Sequence, residues 1–327
     1  MKNFLKIMIC CVLVITLTFN LSHVMKKKDG YWKYYKFYEA PTEYEVLFFG
    51  ASVVNYGIYP NELWNNYGIT SYNFGNPTER LSMTYWTMRN ALDYAAPKVV
   101  VVDLTAMSWA GTTRDNTLLD HNFLDSVPFS KTKVAEVFEI FSGKERIEYL
   151  FPMYLYHSRW NDLKEEDFVK PNYYVYGANM DDKIAVNEEP DEHNYDESRY
   201  GDVEFERQNL ERIVNLCEEK GIKLVFTYLP YVADGGDQKL REFCKEYCLE
   251  INIPYYDMLW LDIIEWDKDF FDQVHLNSYG AIKVTNYIGE ELIQRYDVGG
   301  RHAVDQIAAQ RWDDDFKKYN EFAEKYR

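Results

Sequence analysis

Cationic side chains are scarce in this sequence. Lysine and arginine number 36 against 53 aspartates and glutamates, giving a net charge of −17 over 327 residues. Nucleic-acid binding needs clustered Lys and Arg to displace counterions from phosphate, so that class of partner is excluded. Cysteine is scarcer still. Of five, Cys10 and Cys11 sit inside an apolar N-terminal run, which leaves Cys217, Cys244 and Cys248. An odd number of thiols without metal-like spacing leaves a disulfide possible but does not imply one. Cys244 and Cys248, four apart, share one helical face and are expected to be buried. The six histidines do not pair with cysteines or carboxylates at ligand spacing, so neither a metal nor another cofactor is expected. Internal repeats and low-complexity segments are absent.

What is present describes a globular protein. Hydrophobic residues make up 47% and charged residues 27%, and the length allows one substantial core with a large insertion or a small second lobe. Aromatic residues reach 17%, with 29 Tyr and 8 Trp. Most must fill the core, but flat rings with polar tips also suit a sugar-binding cleft.

The N-terminus carries its own signal. Lys2 and Lys6 precede an uncharged stretch from Ile7 to His23, and Lys26, Lys27 and Lys28 follow. The strongly apolar part, Ile7 to Leu21, is short beside the roughly 17–25 residues of a usual bilayer span. It fits a signal-peptide core or a short signal anchor; residues 1–24 are therefore read as a membrane anchor or signal segment, and the lack of a small-x-small cleavage signal favours an uncleaved anchor. Residues 25–44 form a tyrosine-rich connector that includes Tyr31-Trp32-Lys33-Tyr34-Tyr35, a composition suited to a membrane interface. Basic residues are more numerous after the apolar run than before it, which by charge bias alone leaves the rest of the chain in the cytoplasm.

From residue 45 the chain alternates strands and helices. Glu45 to Phe49, Thr70 to Phe74, Val99 to Leu104, Lys223 to Leu229 and Ile253 to Asp257 read as strands. Helices are expected after Pro60 and over Met83–Tyr94, Phe205–Lys220, Gln238–Glu250 and Ser278–Arg295. Such alternation predicts an α/β fold, a parallel sheet of five strands covered by helices on both faces. The rhythm breaks over residues 106–205, read as an insertion or lid, and Asn187–Glu206 is strongly acidic. Residues 298–327 read as an appended, charged helical tail.

Two short blocks carry candidate chemistry. Ser52, in Gly50-Ala51-Ser52, follows the first strand, where a serine hydroxyl is exposed at a helix start. His275, in Asp272-Gln273-Val274-His275, precedes the last helix of the domain. Asp272 can orient one imidazole nitrogen and leave the other for a serine hydroxyl, which is the logic of nucleophile, base and orienter. The plain alternatives are a helix N-cap for Ser52, a loop histidine for His275 and a turn residue for Asp272. Gly75, in Asn73-Phe74-Gly75, follows the second strand on the same sheet edge. Its N–H and that of Ser52 form the natural pair for an oxyanion; Asn55 and Asn76 lie nearby. Asp103 ends the third strand, where a structural hydrogen-bonding role is expected. In the insertion, His157, Arg159 and Trp160 suit an anionic or sugar substrate, or form a structural corner in which Arg159 pairs with a carboxylate.

Gly50-Ala51-Ser52, the isolated Gly75 and Asp272-x-x-His275 together resemble the SGNH (GDSL-like) hydrolase superfamily over roughly residues 45–296. The family's Gly-x-Asn-Asp block after the third strand is missing, where this chain reads Val99-Val100-Val101-Val102-Asp103-Leu104-Thr105. That departure is similar to membrane-anchored polysaccharide O-acetyl esterases and transferases and to the D-alanyl transfer protein of teichoic acid synthesis. The resemblance implies a three-layer α/β/α, flavodoxin-like domain over residues 45–297. It also implies an extracytoplasmic serine esterase or O-acyltransferase, against the charge bias at the anchor. Its acceptor would be a glycan or a teichoic-acid-like polymer, and its partners would include the membrane and a membrane acyltransferase. Two other readings stay open. One is a weakly catalytic or non-catalytic partner in an acylation or export machine; the other is a cytoplasmic lipase or thioesterase.

Overall fold

The computed structural model describes residues 2–28, 30–109, 117–190, 203–233, 235–301 and 304–327. Helix α1 (Lys2–Met25) is followed by the short α2 (Tyr31–Tyr35). Strand β1 (Val46–Phe49) leads through α3 (Ser52–Gly57) and α4 (Pro60–Tyr67) to β2 (Ser71–Asn73), and α5 (Leu81–Ala91) leads to β3 (Val99–Asp103). Four helices come next: α6 (Thr117–Leu124), α7 (Lys131–Ile140), α8 (Gly143–Leu150) and α9 (Pro152–Tyr156). The alternation resumes with α10 (Val203–Lys220), β4 (Lys223–Tyr228), α11 (Gly235–Glu250) and β5 (Tyr255–Asp257). It closes with α12 (Ser278–Arg295) and α13 (Gln306–Ala323).

The five strands form one all-parallel sheet in the order β2-β1-β3-β4-β5. Burial on both faces explains why β1 and β3 read as unbroken apolar runs rather than as alternating ones. Val46, Phe48, Val99, Val101 and Val225 share a core with side chains of α3, α4, α12 and α13. Their neighbours Leu47, Phe49, Val100, Val102 and Phe226 are equally buried and, by the period of two, face the layer that contains α5 and α10. The architecture is therefore the three-layer α/β/α expected. From β1 the chain steps outward to β2 and then returns past β1 to β3. The crevice beyond the carboxyl ends of β1 and β3 is thus a topological switch point, where open parallel sheets bind ligands.

The chain divides into two compact units, Met1–Tyr35 with Asn116–Tyr173, and Lys36–Asp115 with Tyr174–Arg327. The second holds the sheet. Its C-terminal helix differs from the appendage read in the sequence. Trp312 is completely buried, stacks on Tyr176 at 3.7 Å with an interplanar angle of 8°, and packs against Trp64. Tyr319 and Ala323 belong to the same core. The acid-rich sequence of α13 hides a stripe, Trp312, Asp315 and Tyr319, that faces inward.

The first unit contains α1, α2 and α6–α9. Within α1, Asn3–Met25 is long and apolar enough to cross a membrane by length and composition. Phe141 packs on Tyr149 at a tilt, Tyr149 stacks on His121, and Tyr34 meets Phe123 edge-on. The carboxyl end of α1 is capped by cations: Arg159 donates to the Met25 carbonyl at 2.5 Å and Lys28 to that of His23. Such pairing satisfies carbonyls that a helix end leaves open. In the acidic stretch 187–206, residues 191–202 lie outside those described; Glu188 and Glu189 are exposed. Cys217, Cys244 and Cys248 are buried free thiols.

Candidate active site

β1 ends at Gly50, whose φ of +151° and crowded position explain why glycine stands there. A Cβ would lie 2.7 Å from Val54 Cγ2 and 3.0 Å from Asp103 Cβ. The chain turns against the end of β3 and enters α3. Ala51 is the N-cap and makes no side-chain cap bond. Ser52 is the first helical residue, and its hydroxyl is directed elsewhere.

That hydroxyl lies 2.7 Å from Nε2 of His275. On the far side of the imidazole, Nδ1 is 2.9 Å from Oδ2 of Asp272 and 3.1 Å from Oδ1. The three groups line up when Nδ1–H donates to the carboxylate and Nε2 accepts from the serine O–H. Asp272 also acts as a turn residue: its Oδ1 accepts the backbone N–H groups of Val274 at 2.7 Å and His275 at 2.8 Å. Partial burial pulls this carboxyl upward. The bonds from His275 and from both backbone N–H groups outweigh it and hold the carboxyl below the usual range. One residue therefore fills both roles that the sequence left as alternatives.

The loop bearing Asp272 and His275 is held from several sides. Phe270 and Leu276 form an antiparallel bridge at its base. Asn277 caps α12 through Oδ1, which accepts from Tyr279 N, while its Nδ2 donates to the carbonyls of Lys183, Lys268 and Phe270. The His275 ring stacks on Phe271 at 5.2 Å with an interplanar angle of 8°, and Tyr56 stands 5.1 Å away.

Sequence reasoning missed two supports. The first is Asn73, at the end of β2. Its Nδ2 donates to the carbonyls of Val54 (2.7 Å) and Ile58 (2.8 Å), tying β2 to α3, and its Oδ1 accepts the Gly75 N–H at 2.8 Å. The Gly75 donor expected to face an oxyanion is thus engaged with Asn73. The N–H of Ser52 belongs to the first-turn donors that a helix leaves without an internal acceptor. Asn55, fully buried one turn further along α3, keeps Oδ1 without a hydrogen-bond partner, and Asn76 uses its N–H on the Gly50 carbonyl.

The second support is a strap over residues 174–187, drawn from the stretch read as an insertion. Its backbone joins Asn73 N to Tyr176 O, Asn179 N to Asn55 O, and Ala185 N to Phe270 O. The Asn187 side chain then donates to the Asp272 carbonyl at 3.0 Å. The strap passes so close to β2 that a Cβ on Gly177, at φ +93°, would lie 1.9 Å from Asn73 O. Little in the local sequence announces it, because three of its contacts are made by backbone groups that every residue carries.

Asp103 lies beneath Gly50 and is buried. Oδ1 accepts from the N–H and hydroxyl of Thr105, and Oδ2 from the Thr227 hydroxyl (3.0 Å) and Leu229 N (2.8 Å). Burial pushes this carboxyl up to about 6, against the pull of those four bonds. Its role is to pin β3 to β4 beside the crevice. His157, Arg159 and Trp160 belong to the other unit. There Arg159 forms a fork with both carboxylate oxygens of the buried Asp167 at 3.0 Å, as the structural-corner alternative has it. Trp160 is 69% exposed, and His157 Nδ1 meets the Tyr154 carbonyl.

Two solved structures are similar to this chain. One is a protein assigned to the G-D-S-L lipolytic family from Desulfitobacterium hafniense, 13% identical, with a TM-score of 0.39 over 76% of this chain and 98% of its own. The other is a protein assigned as an acylhydrolase from Bacteroides fragilis, 14% identical, with a TM-score of 0.40 over 80% of this chain and 94% of its own. No family model and no curated protein matches the sequence.

Proposed function

We propose that this chain is a membrane-anchored, extracytoplasmic serine esterase or O-acyltransferase that handles a small acyl group on a cell-envelope or exported polysaccharide. The observation that carries the reading is the unbroken line Ser52 Oγ, His275 Nε2, His275 Nδ1, Asp272 Oδ2, with steps of 2.7 and 2.9 Å across the imidazole. Ser52 attacks the ester carbonyl while His275 takes its proton. Collapse of the tetrahedral intermediate expels the alcohol, which leaves with that proton, and the acyl group stays on Ser52. In the second half His275 removes a proton from water or from a sugar hydroxyl, and the attack frees Ser52. Water gives hydrolysis and a hydroxyl acceptor gives transfer. Asp272, kept ionised by its hydrogen bonds, holds the imidazole tautomer and stabilises the imidazolium. The apolar α1 supplies the anchor.

The test is intact-mass labelling of the detergent-solubilised chain with a fluorophosphonate, run beside Ser52→Ala and His275→Ala. Labelling that requires both residues supports the reading; a folded chain that does not label overturns it. Supplying a glycan acceptor to an acetyl-loaded enzyme then separates transfer from hydrolysis. A second reading, a weakly catalytic or non-catalytic member of a membrane acylation machine, is favoured by one observation. The Gly75 N–H is bonded to Asn73, which leaves fewer donors for a developing oxyanion.

A further inference from the structure

Within the first unit, α1 borders a groove of about 560 Å³, a volume in the range of small-molecule sites. Val14 and Phe19 of α1 line it together with Leu150, Phe151 and Met153, and Val127 sits beside Lys133, which bonds its carbonyl. Further along, the lining changes character. Ser22, Lys26, Tyr31, Asp125 and Lys133 surround the end nearest the carboxyl terminus of α1. Val14 and Lys26 are twelve residues apart, about 18 Å along a helix at about 1.5 Å per residue. That is close to half the roughly 30 Å hydrocarbon core of a bilayer. The groove is apolar where α1 is deepest and ionic where α1 ends, which is the polarity of a single lipid.

The ionic end has unused capacity. Asp125 is 2% exposed; its Oδ1 faces His121 at 3.3 Å, the Tyr156 hydroxyl stands near the carboxylate, and Oδ2 is buried without a hydrogen bond of ordinary geometry. Lys26 donates to the Asp125 carbonyl, and the buried Lys133 donates to the carbonyls of Leu124 and Val127. Each ammonium carries three donors, so both cations are held by neutral carbonyls with donors to spare. Burial first, and the neighbouring Lys26 second, push the Lys133 ammonium down to about 8, against the smaller opposing pull of Asp125 and Glu136. An occupant that satisfies this end carries an anionic oxygen for the lysines and a hydroxyl donor for Asp125 Oδ2. Outside the groove, Phe138, Ile147 and Phe168 leave large apolar surfaces exposed on the same unit, consistent with elements that rest in a membrane interface.

We propose that this groove binds one anionic glycerophospholipid with a hydroxylated head group, of the phosphatidylglycerol type. Its acyl chain lies along α1, its phosphate lies between Lys26 and Lys133, and a head-group hydroxyl donates to Asp125. The proposal rests on the reading that α1 sits in a bilayer, and the experiment separates the two. The full chain is reconstituted into phosphatidylcholine vesicles containing traces of chain-nitroxide-labelled phosphatidylglycerol, phosphatidic acid or phosphatidylcholine. Carbonate extraction reports insertion, and electron paramagnetic resonance reports lipid held motionally restricted. The expected result is a restricted component that favours phosphatidylglycerol over phosphatidylcholine by about tenfold, the worth of one charge-assisted hydrogen bond. Val127→Trp, which fills the groove, abolishes it. Lys26→Gln removes the preference over phosphatidylcholine, and Asp125→Asn narrows that over phosphatidic acid. Should Val127→Trp fail to insert, Lys26→Gln carries the test alone. An inserted chain that restricts all three lipids equally, or none, overturns the proposal and leaves the groove to a protein segment. A chain that carbonate strips from the vesicles overturns the membrane reading and the groove with it.

Discussion

Gly75→Ala tests whether the joint between β2 and α3 sets the position of Ser52. An added Cβ lies 2.2 Å from Asn55 N, 2.7 Å from Asn55 Cα and 2.9 Å from Asn73 Oδ1. Two of these atoms are backbone and cannot rotate away, so α3 or the loop must move by about 1 Å to restore ordinary contact. Ser52 opens α3 three residues before Asn55, and its hydroxyl sits at 2.7 Å from His275 Nε2. A displacement of about 1 Å in a reacting group costs on the order of 100-fold in rate, or about 2.7 kcal/mol of barrier. Overpacking of this kind also lowers stability by about 1–3 kcal/mol. The rate constant for fluorophosphonate labelling, read by intact mass, should fall about 100-fold, with only a modest drop in Tm. Gly143→Ala is the control. Its φ is +51° and nothing lies within 4 Å of the added methyl, so about 1 kcal/mol of backbone strain should leave labelling unchanged. Wild-type labelling by a folded Gly75→Ala chain would refute the argument.

Asp272→Asn should slow labelling by roughly 10³–10⁴-fold through loss of the imidazole's tautomer and charge support, with a small change in Tm. Because hydrogen bonding lowers the folded pKa of Asp272, its contribution is complete above the ordinary carboxylate range and is lost as pH falls through the folded value. An Asp272-dependent loss of labelling that begins above pH 5 contradicts this. Asp103 runs the other way: its folded pKa is raised to about 6, so its contribution is complete below about pH 4 and is lost as pH rises through the folded value. The stability lead of wild type over Asp103→Asn should therefore shrink by about 2 kcal/mol between pH 4 and 7; thermal unfolding of the solubilised chain at several pH values measures it, and a constant gap contradicts it. Trp312→Ala should cost about 3–5 kcal/mol, seen as a fall in Tm; an unchanged Tm would place α13 outside the cooperative core.

The parts of the fold that were legible are those where one residue type answers to one local demand. Val99-Val100-Val101-Val102 was the plainest strand, and the helix expected over Ser278–Arg295 has those bounds in the structure. Gly50-Ala51-Ser52 and Asp272-x-x-His275 were readable because the turn and the imidazole both need particular side chains. What stayed hidden was non-local. The strap works through the backbone of Tyr176, Asn179 and Ala185, which leaves no trace in residue type. Trp312 and Tyr319 were masked by the run Asp313-Asp314-Asp315, although Asp315 itself turns inward to accept from Tyr176. The association of 117–173 with α1 pairs segments too far apart for any periodicity to reveal.

That association sets a timetable for synthesis. α1 emerges before its partners, and Phe151 and Met153, which line the groove beside α1, come almost 140 residues later in the chain. At about 5–20 residues per second, α1 waits on the order of ten seconds before its partners exist. During that interval the sheet-forming residues 46–103 emerge between the two halves of the unit. Until then the apolar helix must be harboured by something other than these partners, and under the anchor reading proposed above that harbour is lipid or the insertion machinery. A mutation that weakens its partition into lipid should then act as a biogenesis defect, lowering the yield of assembled chain while leaving the assembled molecules unaltered.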